Sequence, residues 1–310
     1  MKKSSILIVI VLICAVCVLT GCFNGLFNFK ISSYGTYKDA NKYSIGSFSY
    51  NASGVDKVCI DYVSGDVTLV QSANRTLNVT ENDSRLSDDQ KVHWYLDGKT
   101  LFIRFCKSGY SGKFPNNSKK ISIEIPFDIE LEVGITSGDV TFATDVEARN
   151  VSLGATSGDF KVRTVRTGEF QMGSTSGSVS MNALYATKVS FGSTSGNTSV
   201  DLIHAEAIKF GATSGNTVLG NIYASDVNGA GTSGNIILSF EYCENLSIGC
   251  TSGNIRIEKI PSNGATIKYE KTSGTLKADG YMVKDNRMVF GAGGCKMEIV
   301  TTSGDLIISN

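Results

Sequence analysis

The stretch K-F-G-A-T-S-G-N-T-V, Lys209 to Val218, decides the fold, because its inner triplet Thr213-Ser214-Gly215 returns along the chain at a nearly fixed interval. The triplets begin at Thr136, Thr156, Thr175, Thr194, Thr213, Thr232, Thr251, Thr272 and Thr302. Their successive separations are 20, 19, 19, 19, 19, 19, 21 and 30 residues. So constant a period is architectural: each repeat is one unit stacked on the next.

Aligning the repeats on their triplets exposes columns. Five residues before each threonine stands an apolar side chain: Leu131, Val151, Phe170, Val189, Ile208, Val227, Leu246, Ile267 and Met297. Two residues later comes a second apolar column, Val133, Leu153, Met172, Phe191, Phe210, Ile248, Tyr269 and Ile299, broken only by Gly229. The position between them is polar or charged, which is the period of a strand with one buried face. Beyond the triplet the alternation resumes, as at Val179, Ile236 and Ile255, then Val200, Leu219 and Leu238, then a short third column including Leu184, Ile203 and Ile222. Each repeat therefore offers two clear strands and one brief one. A 19-residue unit cannot close a core alone, so the columns are buried by stacking coil on coil. The expected fold is all-β: a single-stranded parallel β-solenoid over residues 131–310, with coils about 4.8 Å apart and a rod of about 40 Å.

The triplet itself reads as turn chemistry. Gly supplies positive φ, Asn or Asp hydrogen-bonds nearby backbone, and Ser and Thr cap neighbouring amides. Asn197, Asn216, Asn235 and Asn254 share one column, so a side-chain ladder along the stack is expected.

Residues 43–130 follow the scheme less regularly. Val58 to Val67 reads as one repeat with Val63 in place of threonine, a first coil acting as a cap. In K-V-H-W-Y-L-D-G-K-T-L-F-I-R-F, Lys91 to Phe105, Asp97-Gly98 joins two β-rich runs, a hairpin signal. The loop from Cys106 to Lys120 is expected to be exposed. Upstream, Lys2 and Lys3 precede an apolar run from Ile6 to Leu19, closed by Leu19-Thr20-Gly21-Cys22. That run is short for a spanning helix and has the layout of a secretion signal over residues 1–21. The closing tetrad resembles the bacterial lipobox, which implies lipid attachment at Cys22, with residues 22–42 as a tether between lipid and domain. The expected location is the extracytoplasmic face of the cell membrane.

The serial S-G-D/N turns, the lead-in V-C-I-D-Y-V-S-G-D-V-T-L-V, the segment H-W-Y-L-D-G-K-T-L-F-I and the I-S-I-E-I-P before the repeats together resemble a family of putative adhesins of the bacterial envelope. The resemblance spans about residues 43–310. It implies a single-stranded β-helix, right-handed, at the cell surface or envelope, with no known enzymatic activity and no transferable functional residues.

The residue inventory narrows the function. Formal charge is zero, and removing Lys2 and Lys3 from the 29 basic residues leaves 27 against 29 acidic ones, with no long basic stripe, so nucleic acid is not an expected partner. After Cys14, Cys17 and Cys22, five cysteines remain of the 8: Cys59, Cys106, Cys243, Cys250 and Cys295, an odd number for a disulfide framework. There is no C-x-x-C pair among them and the two histidines, His93 and His204, lie far apart in sequence, so neither a metal site nor a cofactor is expected. Serine nucleophiles repeated in every coil would lack a base of their own, so no catalytic residue is assigned. Recognition is expected where the repeat breaks, at Trp94, Tyr95 and the loop around Tyr110, or in the excursion from Ala278 to Cys295. The reading is a non-catalytic, lipid-anchored envelope protein with an adhesin-like binding or structural role toward wall polymer or an envelope protein. The alternatives are a carbohydrate-active β-helix enzyme and an accessory of an envelope stress sensor.

Overall fold

The computed structural model describes residues 36–82, 85–114, 119–278, 281–283 and 286–309. The signal segment, Cys22 and the tether up to residue 35 lie outside the described residues. The described residues are built from strands, with two short 3-10 turns among them, Ala40–Lys42 and Ala52–Gly54, and they form a β-solenoid. It divides into two compact units, Phe29–Met181 and Asn182–Asn310.

Most repeats form one continuous strand of 15 residues: Phe160–Ser174, Val179–Ser193, Thr198–Ala212, Thr217–Gly231 and Ile236–Cys250. The expected two strands and a short third are thus merged. The chain still bends, as at Asp201-Leu202 and Glu206-Ala207, where two successive residues leave the core. The parallel hydrogen-bond ladder runs on through those bends, because the next coil bends at the same place. Register is one repeat per coil: Thr198 faces Thr217, Ile208 faces Val227, and Val227 faces Leu246. All nine residues of the first apolar column are buried, as are the eight of the second. Gly229 interrupts the second column because the Phe210 ring of the neighbouring coil fills its place; a Cβ there would overlap that ring. Leu276, on an outer coil, is only half-buried.

At the triplet, backbone and side chain divide the work. The Thr213 N–H donates to the Ser193 carbonyl and the Ser214 N–H to the Thr194 carbonyl, at 3.0 and 2.8 Å, and the same pair of bonds recurs at Thr232-Ser233 and Thr251-Ser252. The glycine is required chiefly by proximity, not by the positive φ expected from the sequence. A Cβ on Gly215, Gly234 or Gly253 would overlap the glycine carbonyl oxygen of the coil before it, and none of these has positive φ; Gly65, Gly138 and Gly274 combine both constraints. The fourth residue forms the ladder through its side-chain oxygen. Asn197 Oδ1 accepts from the Asn216 N–H at 2.9 Å, Asn216 Oδ1 from Asn235, Asn235 Oδ1 from Asn254, and Asn254 Oδ1 from Asp305. In the first unit Asp159 Oδ1 accepts from the Ser178 N–H at 2.8 Å. Only an acceptor is needed, which explains why Asp and Asn alternate in this column.

Coil order in space departs from order in sequence at two places. The strand Lys57–Ser64 pairs with Glu130–Ser137 on one side and with Thr100–Arg104 on the other; Asp66–Gln71 likewise lies between Val140–Phe142 and Lys120–Ile125. The coil expected to be the cap is therefore an inner one, and Thr100–Arg104 and Lys120–Ile125 belong to the coil outside it. In the second unit Cys295–Thr301 lies between Ile236–Cys250 and Ala265–Lys271, and Leu306–Ile308 between Ile255–Lys259 and Leu276–Ala278. The later segment is inserted inside the earlier one. The outer coils are covered by antiparallel strands. His93–Asp97 pairs with Thr100–Arg104 around Asp97-Gly98, Thr76–Glu81 with Lys120–Ile125, and Arg287–Phe290 with Ala265–Lys271. Antiparallel cover leaves no long parallel edge open for a further coil.

Two expectations about exposure change. In the 106–120 loop Cys106 and Lys119 are buried, and in the excursion before Cys295 so are Met288 and Phe290. Tyr37 is already docked, donating from its hydroxyl to the Cys106 carbonyl at 3.0 Å, so the expected tether gives way to folded structure by that residue.

In urea unfolding, Gly234→Ala, which forces a methyl against the adjacent coil, should cost more than about 2 kcal/mol, whereas Ser233→Ala on the exposed neighbour should stay within about 0.5 kcal/mol. Asn235→Asp should be close to neutral and Asn235→Leu should cost about 0.5–1.5 kcal/mol, because only the latter removes the acceptor of the exposed Asn254 N–H.

Candidate functional site

The three residues nominated as recognition aromatics are occupied in holding the cap of the first unit together. Trp94 stacks on Phe48 with ring centroids 4.1 Å apart. Tyr95, on the opposite side of the same strand, packs against Tyr43 at 5.3 Å, with the Lys42 ammonium over its ring. The Tyr110 hydroxyl accepts from Gln90 Nε2 at 3.0 Å and donates to the Lys113 carbonyl, and its ring meets Phe114 edge-on. All three are half-buried, and no common surface gathers them.

Beneath them lies a polar core. Lys119 stands beside Gly65 in the glycine stack, and its ammonium turns inward to Glu81 at 2.8 Å, with both side chains almost fully buried. It also donates to the Gln90 and Phe105 carbonyls and faces the rings of Phe105 and Tyr62. Burial holds the Lys119 pKa below its ordinary value, and the Glu81 carboxylate opposes that shift. The cluster ties the strand ending at Glu81 to the start of the outer coil.

Groups that could do chemistry are muted. Burial pushes the Cys59 thiol up to about 12, helped by Glu132, and the Cys106 thiol up to about 11, so neither is a ready thiolate. His93 is buried with its Nδ1 at 2.9 Å from the Lys91 carbonyl, and burial lowers its pKa. Asp66 and Asp139 occupy adjacent coils on an open polar depression of about 310 Å³ with Thr68 and Thr141. Each is 43% exposed and pairs with a lysine, Lys120 or Lys161, which is not the buried setting that makes a carboxyl a general acid. Among the described residues no three His, Cys, Asp or Glu side chains gather as a metal-ligand group.

The second unit carries a different feature. Tyr185, His204, Tyr223 and Tyr242 occupy one outward column at intervals of 19 residues. Tyr185 and His204 stack with centroids 6.2 Å apart and planes inclined by 26°; His204 and Tyr223 do so at 5.6 Å and 24°. Tyr223 and Tyr242 are direct register partners, each 39% exposed, and are among the few exposed large apolar side chains of the described protein. Two residues further along each coil stand Thr187, Glu206, Ser225 and Glu244. The Tyr242 hydroxyl donates to Glu244 Oε1 at 2.9 Å, and Asn245 Nδ2 donates to Asp226 Oδ1 at 3.0 Å. The result is an aromatic ladder bordered by oxygen acceptors. The sequence reading did not single this column out, although its signal was present: an outward aromatic column with the period of the core.

With the fold and this face in view, known proteins supply context. The model of the Toastrack DUF4097 family matches residues 55–216 and 193–310. A solved structure described as a putative adhesin, from Parabacteroides distasonis ATCC 8503, superposes with a TM-score of 0.52 at 13% identity, covering 86% of this chain and 97% of its own. Another of the same description, from Parabacteroides merdae ATCC 43184, gives 0.50 at 13% identity with the same coverage. At this identity the likeness is one of fold. No curated protein matches the chain.

Glu81→Gln should destabilise the protein by about 3–5 kcal/mol in denaturant unfolding, because it strands a buried ammonium. The control Lys99→Met, which breaks the exposed pair with Asp56, should cost less than about 1 kcal/mol.

Proposed function

Because the chain belongs to the Toastrack DUF4097 family, we propose that it is a non-catalytic binding protein of the cell envelope, held to the membrane by lipid on Cys22, and that its aromatic ladder contacts a hydroxyl-rich polysaccharide. The observation that carries this reading is the column of Tyr185, His204, Tyr223 and Tyr242, in which the first three rings stack, Tyr242 is the register partner of Tyr223, Tyr185 is half-buried and the other three are exposed, flanked by Glu206, Ser225 and Glu244. Aromatic rings present apolar faces and edges to the C–H groups of a sugar, while carboxylate and hydroxyl oxygens accept from its hydroxyls. The carboxylates Glu206, Asp226 and Glu244 border the column, so the face suits a neutral or amine-bearing polymer better than an anionic one. Equal rungs at coil spacing meet a repeating ligand several times, and weak contacts then add as avidity.

Co-sedimentation with insoluble wall polysaccharide tests the reading. The wild-type protein should pellet with the polymer and stay bound at about 0.5 M salt, since stacking is little screened. The Tyr223→Ala/Tyr242→Ala variant should remain in the supernatant while unfolding at the wild-type midpoint. Equal retention of the two proteins, or no retention of either on any wall polymer, would overturn the ladder as the contact surface. For the anchor, Cys22→Ser should move the protein from the membrane fraction to the soluble one and abolish labelling by fatty acid; persistent labelling would refute lipid attachment at that residue.

A further inference from the structure

Two buried cysteines meet where the inserted coil joins its neighbour. Cys243 lies on Ile236–Cys250, in an inward column whose earlier members are Ala186, Ala205 and Ala224. Cys295 opens the inserted strand Cys295–Thr301, which pairs with Asn245–Cys250 from Lys296 onward. Neither cysteine has measurable exposure; Cys243 Sγ donates to the Asn245 carbonyl at 3.4 Å, and the neighbouring Cys295, together with burial, pushes the Cys243 thiol well up. The two successive exposed residues Glu244 and Asn245 bend the first strand so that Cys243 turns inward beside Cys295. Continued by one step, that register sets Cys295 opposite Glu244, one residue along from Cys243; a strand spacing of about 4.8 Å and a rise of about 3.3 Å then separate the two Cα atoms by roughly 6 Å, within the range of roughly 4.4–6.8 Å over which a disulfide closes. The other cysteines are engaged elsewhere: Cys59 donates to Glu132, Cys106 to the Lys107 carbonyl and Cys250 to the Gly234 carbonyl.

We propose that Cys243 and Cys295 are a disulfide site, formed while the protein folds in the presence of a disulfide donor, and that the bond fastens the inserted coil to the coil it displaces its neighbour from. In the exchange one cysteine thiolate attacks the donor disulfide, giving a mixed disulfide and releasing one donor thiol. The second cysteine thiolate attacks the mixed disulfide at the protein sulfur, forming the Cys243–Cys295 bond and releasing the second donor thiol, so two protein thiols are oxidised and the donor is reduced to two thiols. Once the coil has closed, both sulfurs are out of reach of a donor, so the exchange precedes closure. The bond encloses the crossing at Pro261 to Gly264, where Asn263 Nδ2 donates to the Cys243 carbonyl at 2.9 Å, and the antiparallel cover that follows. The inference is independent of the aromatic ladder.

The full chain, unfolded in guanidinium with reductant, is refolded with a reduced and oxidised glutathione mixture, alkylated under denaturing conditions and mapped by mass spectrometry. The expected result is a single linked peptide pair carrying Cys243 and Cys295, with the other cysteines alkylated. The oxidised protein should have a higher urea midpoint than the reduced one. A Cys243→Ala/Cys295→Ala variant, in which the first substitution follows the alanines of its column and the second follows Ala265, the register partner of Cys295, should fold with a midpoint insensitive to reductant. Full alkylation of both residues after oxidative refolding, or linkage of either to a different cysteine, overturns the proposal, and because that readout is taken on the wild-type chain it does not depend on the variant.

Discussion

At one corner of every coil the backbones of neighbouring turns approach so closely that no side-chain carbon fits between them. Glycine carbonyl sits over glycine Cα from coil to coil, as Gly196, Gly215, Gly234, Gly253 and Gly304 do in turn. This contact sets the register of everything else. A slip by one residue would bring a Cβ into the stack and turn each inward side chain outward, so the steric requirement at the corner and the burial requirement on the faces select the same alignment. The Asn and Asp oxygens then find the next coil's N–H, and the apolar columns fall on one another without disulfide or metal in the described structure.

The columns were legible in the sequence because burial in a stacked strand depends only on position within the repeat. Leu131 and Met297 stand far apart in the chain, yet both are inward for the same reason. Coil order was not legible, for the converse reason: identical corners dock on one another irrespective of which came first, so the pattern carries no information about the neighbour. The only trace lies in the irregular separations of 21 and 30 residues around Thr272, which leave room for a chain to skip a coil and return. The glycine rationale was right in residue and wrong in cause, since close approach leaves no mark distinguishable from positive φ in a sequence. Gly229 resembled a defect until Phe210 was seen in the space beside it.

The aromatic residues teach a related lesson. Trp94, Tyr95 and Tyr110 stood out because they interrupt the pattern, and they interrupt it because a cap must cover the last coil with side chains unlike those of the repeat. The outward Tyr185, His204, Tyr223 and Tyr242 share the repeat's own period, and the histidine hid them from a search for one residue type. In a stacked fold, then, a regular column on the solvent side is joined from coil to coil by its own contacts, as the Asn197 to Asn254 ladder and the rings of Tyr185, His204 and Tyr223 both are.

The displaced coils also bear on how such a chain can be made and cut. A simple solenoid grows by accretion, each coil resting on a finished one, and loses its final turn to a protease without disturbing the rest. Here Cys295–Thr301 and Leu306–Ile308 occupy an interior berth, and until it is filled Ala265–Lys271 and Leu276–Ala278 have no parallel coil to lean on, only the antiparallel Arg287–Phe290 beside the first of them. Completion is therefore all-or-none for this part of the molecule. A chain nicked before Cys295 is not a shorter solenoid but one with a vacancy between two coils and two bare edges, a species that a protease would recognise and that an intact molecule does not display.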